Sequence, residues 1–427
     1  MARRKLHDVI QKPTFMMPIA HLIVSLIVAA NCSAGDWPQF LGPNRNGISA
    51  ETGLIDEWSD GGPQEIWRVT GGVGMSGLAI KDGRVVTMLQ RGGKQAIAVF
   101  DAKSGKAMQE IPFAPTYGNP MGNGPRATPT IVGDIAYAFS GNGILLAVGL
   151  NDGKIKWQHH VVKEQRGREA DYGMASSPLV VGDLVIVSAG APGANVVAYD
   201  RESGKLAWKT GNGPAGYSSP ALLEIGGKSQ IVVFSGDAVF GLDPKLGKQL
   251  WRFPYATNYQ CNIATPILWK GRIFISSGEN HGSALLKLKP TDGGFDVSTD
   301  WTSFGRTSVM RNEWQTSVLL DGYLYGLDNV GGAGPVTHLN CVAVATGKRV
   351  WQETRFGKSN LIAADGKLWF STFDGELAIV RATPDGFDEM GRKQVLESTR
   401  QAPALANGRL YLRDDHEIVC FDVRKDR

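Results

Sequence analysis

Four nine-residue stretches spell one corner: NDGKIKWQH (151–159), ESGKLAWKT (202–210), KLGKQLWRF (245–253) and ATGKRVWQE (345–353), each with Trp four residues after Gly. A phrase repeated in phase means one supersecondary unit copied along the chain, each copy burying its apolar face against the next. A second phrase, two apolar runs flanking a tight turn, recurs eight times between LAIKDGRVVTML (78–89) and LANGRLYLR (405–413), 42 to 51 residues apart. Its turns include Asp82-Gly83, Asp321-Gly322, Asp365-Gly366 and Asn407-Gly408, pairs that tolerate the positive φ of two-residue hairpins.

A third apolar strand and a Gly corner follow each hairpin. Seven corners can be traced, with degenerate ones around Gly293 and Gly386. The eighth third strand, EIVCFDVRKDR, ends the chain before a fourth can form, while EIWRV (65–69) reads as a fourth strand with no hairpin before it. The leftover halves match. The expectation is an all-β, eight-bladed β-propeller of four-stranded antiparallel blades, closed by the N-terminal strand completing the last blade. In that frame Trp67, Trp157, Trp208, Trp251 and Trp351 dock neighbouring blades, and repetition at a packing position assigns them no catalytic role.

Composition bears on location and partners. Of the net charge of +4, residues 1–34 hold +3, leaving 41 Lys and Arg against 40 Asp and Glu. So neutral a body lacks the clustered cations that nucleic acid demands. The basic flank runs into MMPIAHLIVSLIVAA (16–30) and then NCSAGDW, which reads as an export signal over 1–34 cleaved after Ala34. The apolar run of about 15 residues is shorter than the roughly 20 a spanning helix needs, so a retained anchor is the alternative. After cleavage Cys261, Cys341 and Cys420 remain, an odd number with no CxxC and no CxxCH, so disulfides do not carry the fold.

With both phrases in hand, the chain resembles the pyrroloquinoline quinone (PQQ) repeat family, the quinoprotein dehydrogenase-like propellers, over about 65–427. The resemblance implies that DWPQFLGPNRNGISAETGL opens an N-terminal extension (35–64) packed beside the ring. The family holds enzymes and non-enzymes. Its dehydrogenases imply PQQ and calcium, a vicinal disulfide over the quinone and a catalytic Asp; here no vicinal Cys pair exists. The first functional reading is therefore an exported, non-catalytic binding or scaffold propeller without a cofactor, similar to the propeller lipoprotein of the outer-membrane β-barrel assembly machinery. The alternative is a divergent PQQ- and calcium-dependent alcohol or sugar dehydrogenase with Asp171 or Glu313 as base and Trp314 against the quinone.

Strand order places hairpin turns and Gly corners on one face and long, varied loops such as 112–128, 159–176 and 302–317 on the other, where binding is expected. Segments leading into the inner strands converge on the central channel. They offer Arg126, Asp171, Tyr172, Tyr217, Tyr259, Gln260, Asn262, Arg311, Asn312, Glu313, Trp314, Gln315, Asn360 and Arg400, which suit a sugar, a peptide or a quinone, an envelope protein or glycan being the partner of the non-catalytic reading. Either these groups bind a ligand or they satisfy one another. Glu279 with His281, and His159 with His160, fall short of a metal site. Contact with the membrane is expected only through the leader or at the periphery, and a ring without open edges is expected to be a monomer.

Overall fold

The computed structural model describes residue 1 and residues 35–58, 61–332, 334 and 336–425; the leader read at 1–34 lies outside them but for residue 1. The hairpin turns have the backbone their residues favour. Asp82, Asp321, Asp365 and Asn407 lie at φ between 47° and 56°, the left-handed region that Asp and Asn tolerate best after Gly. Eight four-stranded antiparallel sheets result. Blades 1 to 7 span 79–115, 130–160, 179–210, 221–254, 267–304, 318–353 and 359–394. Blade 8 comprises Ala404–Ala406, Arg409–Arg413 and Glu417–Asp422, with Gln64–Thr70 as its outer strand. The closing register runs from Gln64 opposite Asp422 to Thr70 opposite Glu417, so the two ends of the sequence fasten the ring as expected. The helical content among the described residues is slight: the turn Val161–Glu164 and two 3-10 turns.

The repeated corner is a joint between blades. Trp157 of blade 2 is 8% exposed and donates Nε1–H to the Arg201 carbonyl in the corner of blade 3, at 2.9 Å. A Cβ on Gly204 would lie 2.7 Å from its ring and 2.9 Å from its own Cβ, and Gly204 sits at φ 71°. Gly therefore serves both the turn and the tryptophan of the preceding blade. Trp67 against Gly105 and Trp208 against Gly247 repeat the contact, although Trp208 Nε1 finds no acceptor among the described residues. Trp351 donates to the Thr383 carbonyl at 2.9 Å.

The joint departs from the motif at four blades. Blade 5 turns its corner through Gly293 and Gly294 rather than at the motif spacing, and Trp251 turns its Nε1–H to Gln230 Oε1 of its own blade, at 2.7 Å, in a cluster with Ile273 and Phe295 of blade 5. Blade 5 instead docks through Trp301, whose Nε1 donates to the Val344 carbonyl at 2.8 Å and whose ring lies over Gly347. Blade 1 uses Gln109, four residues after Gly105, donating to the Leu150 carbonyl at 3.0 Å. In blade 7 the position falls on Gly391, and Trp58 from before the ring packs there, 3.0 Å from where a Cβ would be.

Residues 35–58 cross the hairpin-turn face. Trp37 bridges Ile80 of blade 1, the Pro38 carbonyl accepts from Ile131 N–H of blade 2, and Gly47 and Ser49 pair with Ala363 of blade 7. Arg45, 5% exposed, donates to the Ser177 and Pro178 carbonyls of blade 3 at 3.0 and 2.9 Å. Ile55 N–H then takes the Val423 carbonyl of blade 8. The segment closes one end of the central channel.

Candidate functional site

Before four inner strands the chain repeats a hydroxyl followed by proline: Thr128-Pro129, Ser177-Pro178, Ser219-Pro220 and Thr265-Pro266. Proline sets the chain extended into the strand, and the hydroxyls link blades. Thr128 N–H donates to Ser177 Oγ, Ser177 N–H to Ser219 Oγ and Thr265 N–H to Thr316 Oγ1, each at 2.9 Å. This collar fixes the channel neck. The residue two before the collar position then turns inward, which places Met75, Arg126, Ala175, Tyr217, Ile263, Trp314 and Arg400 on one wall.

The wall encloses a cavity of about 510 Å³, open among the long loops and floored by Trp37, Phe40 and Leu41 of the N-terminal segment. It is a blind funnel. Of the residues picked from sequence, Arg126, Tyr172, Tyr217, Tyr259, Glu313, Trp314, Gln315, Asn360 and Arg400 line it together. The structure places the others outside the wall. Asn262 donates to the Ser235 and Tyr255 carbonyls, and Asn312 to the Leu327 carbonyl; buried loop backbone needs such partners. Arg311 forms a bidentate ion pair with Asp328 at 2.6 and 2.7 Å. Gln260 sits at φ 58° in an exposed turn, and Asp171 pairs with Arg168 at 3.2 Å on the surface. Sequence reasoning missed Met75, Met121, Cys261 and the aromatic floor. The hydroxyl–proline pairs were the signal that would have set the register of the wall.

Charges of both signs line the funnel. Arg400 sits 5.6 Å from the Trp314 ring and donates to the Met121 carbonyl. Arg126, held by the Gly122 and Gly124 carbonyls, lies 4.5 Å over the Tyr117 ring, and burial lowers its pKa. Glu279 and Glu313 line the same funnel with Tyr172, Tyr217 and Tyr259, Glu313 through Trp314 next to Arg400. Glu313 is 4% exposed. Its Oε1 accepts from Trp314 Nε1 at 3.0 Å and lies 3.6 Å from Lys358 Nζ, while Oε2 has no hydrogen-bond partner among the described residues. Burial raises its pKa most, against the pull of Lys358, and Glu279 raises it further. The Cys261 thiol is pushed up to about 12, chiefly by burial and then by Glu279, Glu313 and Asp171.

The cavity can grip a ligand through aromatic faces and charges of both signs. Its residues do not fit calcium, which takes six to eight oxygens. Glu313 Oε1 is already shared by an indole N–H and an ammonium, and no group of three or more His, Cys, Asp or Glu side chains forms among the described residues.

A family profile described as outer membrane protein assembly factor BamB matches residues 58–173 and 168–353. Among solved structures, BamB from Moraxella catarrhalis superposes with a TM-score of 0.58 at 14% identity, covering 83% of this chain and 100% of that one. Quinohemoprotein alcohol dehydrogenase from Comamonas testosteroni gives 0.67 at 13% identity, covering 93% and 82%. The quinohemoprotein alcohol dehydrogenase ADHIIG from Pseudomonas putida HK5 gives 0.66 at 11%, covering 92% and 81%. Identities this low carry the fold alone. No curated protein sequence matches.

Proposed function

The chain belongs to the family of PQQ-like propellers described by the assembly factor BamB, and from that premise we propose that it is an exported, non-catalytic binding protein of the cell envelope that receives a protein partner on its loop-rich face. The observation that carries this reading is the blind funnel. A channel floored by Trp37, Phe40 and Leu41 and walled by Trp314, Tyr172 and Tyr217 is concave and rich in aromatic surface, as recognition sites are. The candidate acids do not form a catalytic pair, since Asp171 is turned to Arg168 and Glu313 to Trp314 and Lys358. The basic, apolar leader supports export, and among the described residues no helix is long and apolar enough to cross a membrane.

A photo-crosslinking amino acid at Tyr259, 62% exposed beside the funnel, and another at Leu246, 73% exposed on the opposite face, test the reading in intact envelopes. A discrete protein adduct from position 259 and none from 246 is expected. Equal labelling at both positions, adducts to glycan alone, or none at all would overturn it. The dehydrogenase reading, kept alive by the likeness to the two alcohol dehydrogenases, is tested by titrating PQQ with excess Ca2+ against tryptophan fluorescence. Saturable, calcium-dependent binding would replace the proposal.

A further inference from the structure

Arg126 and Arg400 stand on either side of Met75 on the funnel wall, ahead of the inner strands of blades 2, 8 and 1. Both reach for one stretch of loop, 121–124. Arg126 donates to the Gly124 and Gly122 carbonyls at 2.5 and 2.6 Å, and Arg400 to the Met121 carbonyl. A Cβ on Gly122 would lie 3.2 Å from the Met75 sulfur and 3.3 Å from Arg400 Nη1. The two guanidinium groups are therefore neighbours. Arg400 is exposed, so a group entering the funnel can reach the pair.

Carbonyls and rings orient a guanidinium without neutralising it. Each guanidinium carries five N–H donors, of which Arg126 uses two and Arg400 one on these carbonyls. The rings of Tyr117 under Arg126, and of Trp314 and Phe373 beside Arg400, hold the two groups in place. Among the described residues neither forms an ion pair. Asp415, whose charge favours ionised Arg126, accepts instead from Gly74 N–H at 3.1 Å. Like charges gathered out of water repel: burial chiefly, and Arg400 in the same sense, lower the Arg126 pKa. An anion between the two would relieve both. The lining sets the size of its charge. Glu313 stands with Lys358, which leaves Arg126 and Arg400 against Glu279 among the charged groups of the wall. Two positive charges against one are balanced by a single negative charge. A carboxylate supplies that charge and two oxygens in the plane that a guanidinium fork matches, whereas a phosphate dianion brings one charge too many.

Resting on the partner-binding reading above, we infer that Arg126 and Arg400 form a seat for one carboxylate of the protein partner, borne by an Asp or Glu side chain or by the end of its chain. Met75, Met121 and Trp314 surround the pair, so the seat takes a carboxylate flanked by apolar side chains, which those surfaces cover.

The test uses the full exported chain and titration calorimetry at low ionic strength. Three probes separate the sources of the carboxylate: acetyl-Leu-Glu-Leu-amide, its uncharged counterpart acetyl-Leu-Gln-Leu-amide, and acetyl-Leu-Gln-Leu with a free carboxyl terminus. At least one carboxylate probe is expected to bind saturably, and the uncharged peptide at least ~10-fold more weakly. Which carboxylate binds tells a side chain from a terminus. Arg400→Gln, at an exposed position, should weaken that probe by ~10-fold or more, and Arg400→Lys, which keeps the charge but loses the fork, by less. Equal binding of charged and uncharged peptides, no heat from any of them, unchanged affinity in Arg400→Gln, or tighter binding of inorganic phosphate than of the peptide overturns the inference. The adduct from position 259 keeps the two readings apart. Its yield should fall in Arg400→Gln; an adduct that persists there in full removes the carboxylate seat and leaves the partner reading standing, and no adduct with Arg400 intact removes both.

Discussion

Trp157 and Gly204 stand in contact across the joint between blades 2 and 3, so their substitutions must not add. The indole is 8% exposed; at ~25 cal/mol per Å2 over roughly 150–250 Å2 its burial is worth about 4–6 kcal/mol. Trp157→Ala, which leaves a partly relaxed cavity, is expected to cost about 3–5 kcal/mol. Gly204→Ala carries two penalties. A residue with a Cβ at φ 71° costs about 1–2 kcal/mol, and driving that Cβ to within 2.9 Å of the indole adds about 1–3 kcal/mol of overpacking. In the double variant the part of the second penalty caused by the ring disappears, while the 2.9 Å approach to the Cβ retained at position 157 remains. The pair should therefore be less damaging than the sum of the singles by about 1–2 kcal/mol, read from urea midpoints and slopes by circular dichroism. Additivity within about 0.5 kcal/mol would refute the contact, and with it the account of why Gly precedes Trp by four residues.

Trp301→Ala should destabilise by about 3 kcal/mol, as for a motif tryptophan, although no Gly precedes it at the motif spacing; a urea midpoint equal to wild type would place that ring outside the joint. Trp58→Ala should cost about 1–3 kcal/mol and expose blade 7 at Gly391, seen as faster amide exchange in Glu389–Gln394 than in the outer strands of other blades. Glu313 binds its proton more tightly folded than unfolded because burial penalises the charge, so it lowers stability as pH rises from the ordinary glutamate range through its raised pKa. Glu313→Gln should accordingly gain stability at neutral pH and lose that part of the pH slope; an unchanged slope would mean the carboxyl is solvated. Arg45→Met, which strips the Ser177 carbonyl of its donor and leaves the Pro178 carbonyl to Thr130 Oγ1 alone, should cost about 1–3 kcal/mol and let a polarity-sensitive dye such as ANS reach the funnel from its floor.

The ring could be read from the sequence because its constraints are local. Asp-Gly and Asn-Gly turns, apolar alternation and the Gly–Trp spacing each repeat, and the unmatched EIWRV forced closure. Other joints escaped that reading because packing, not spacing, defines them. Trp301 reaches the position through the long hairpin of blade 5, and Gln109 supplies the same N–H without a ring. Trp58 comes from a stretch with no periodicity at all. At the funnel, the segments that supply the wall were legible, but not which side chain turns inward. Asn262 and Asn312 resemble ligand-binding amides in sequence, yet loop carbonyls claim them. Glu313 and Trp314 look no different from Arg311 until the collar of hydroxyls sets their register.

The closing strand also governs how the molecule comes into being. Arg68 meets Glu417 at 2.6 Å, 349 positions away along the chain. Contacts so distant in sequence form late, since the entropy of closing the loop is spent before any pairing repays it. Blade 8 thus waits, three-stranded, for the first strand made to find the last. Throughout that wait its open edge can pair with the equivalent strand of another molecule, yielding a swapped dimer at high concentration. A circular permutant that joins the two ends and opens at Gly133, in an exposed hairpin turn, would make blade 8 from neighbouring residues and should refold faster with less swapping. The clasp that leaves the finished ring without an edge is also its slowest step to assemble.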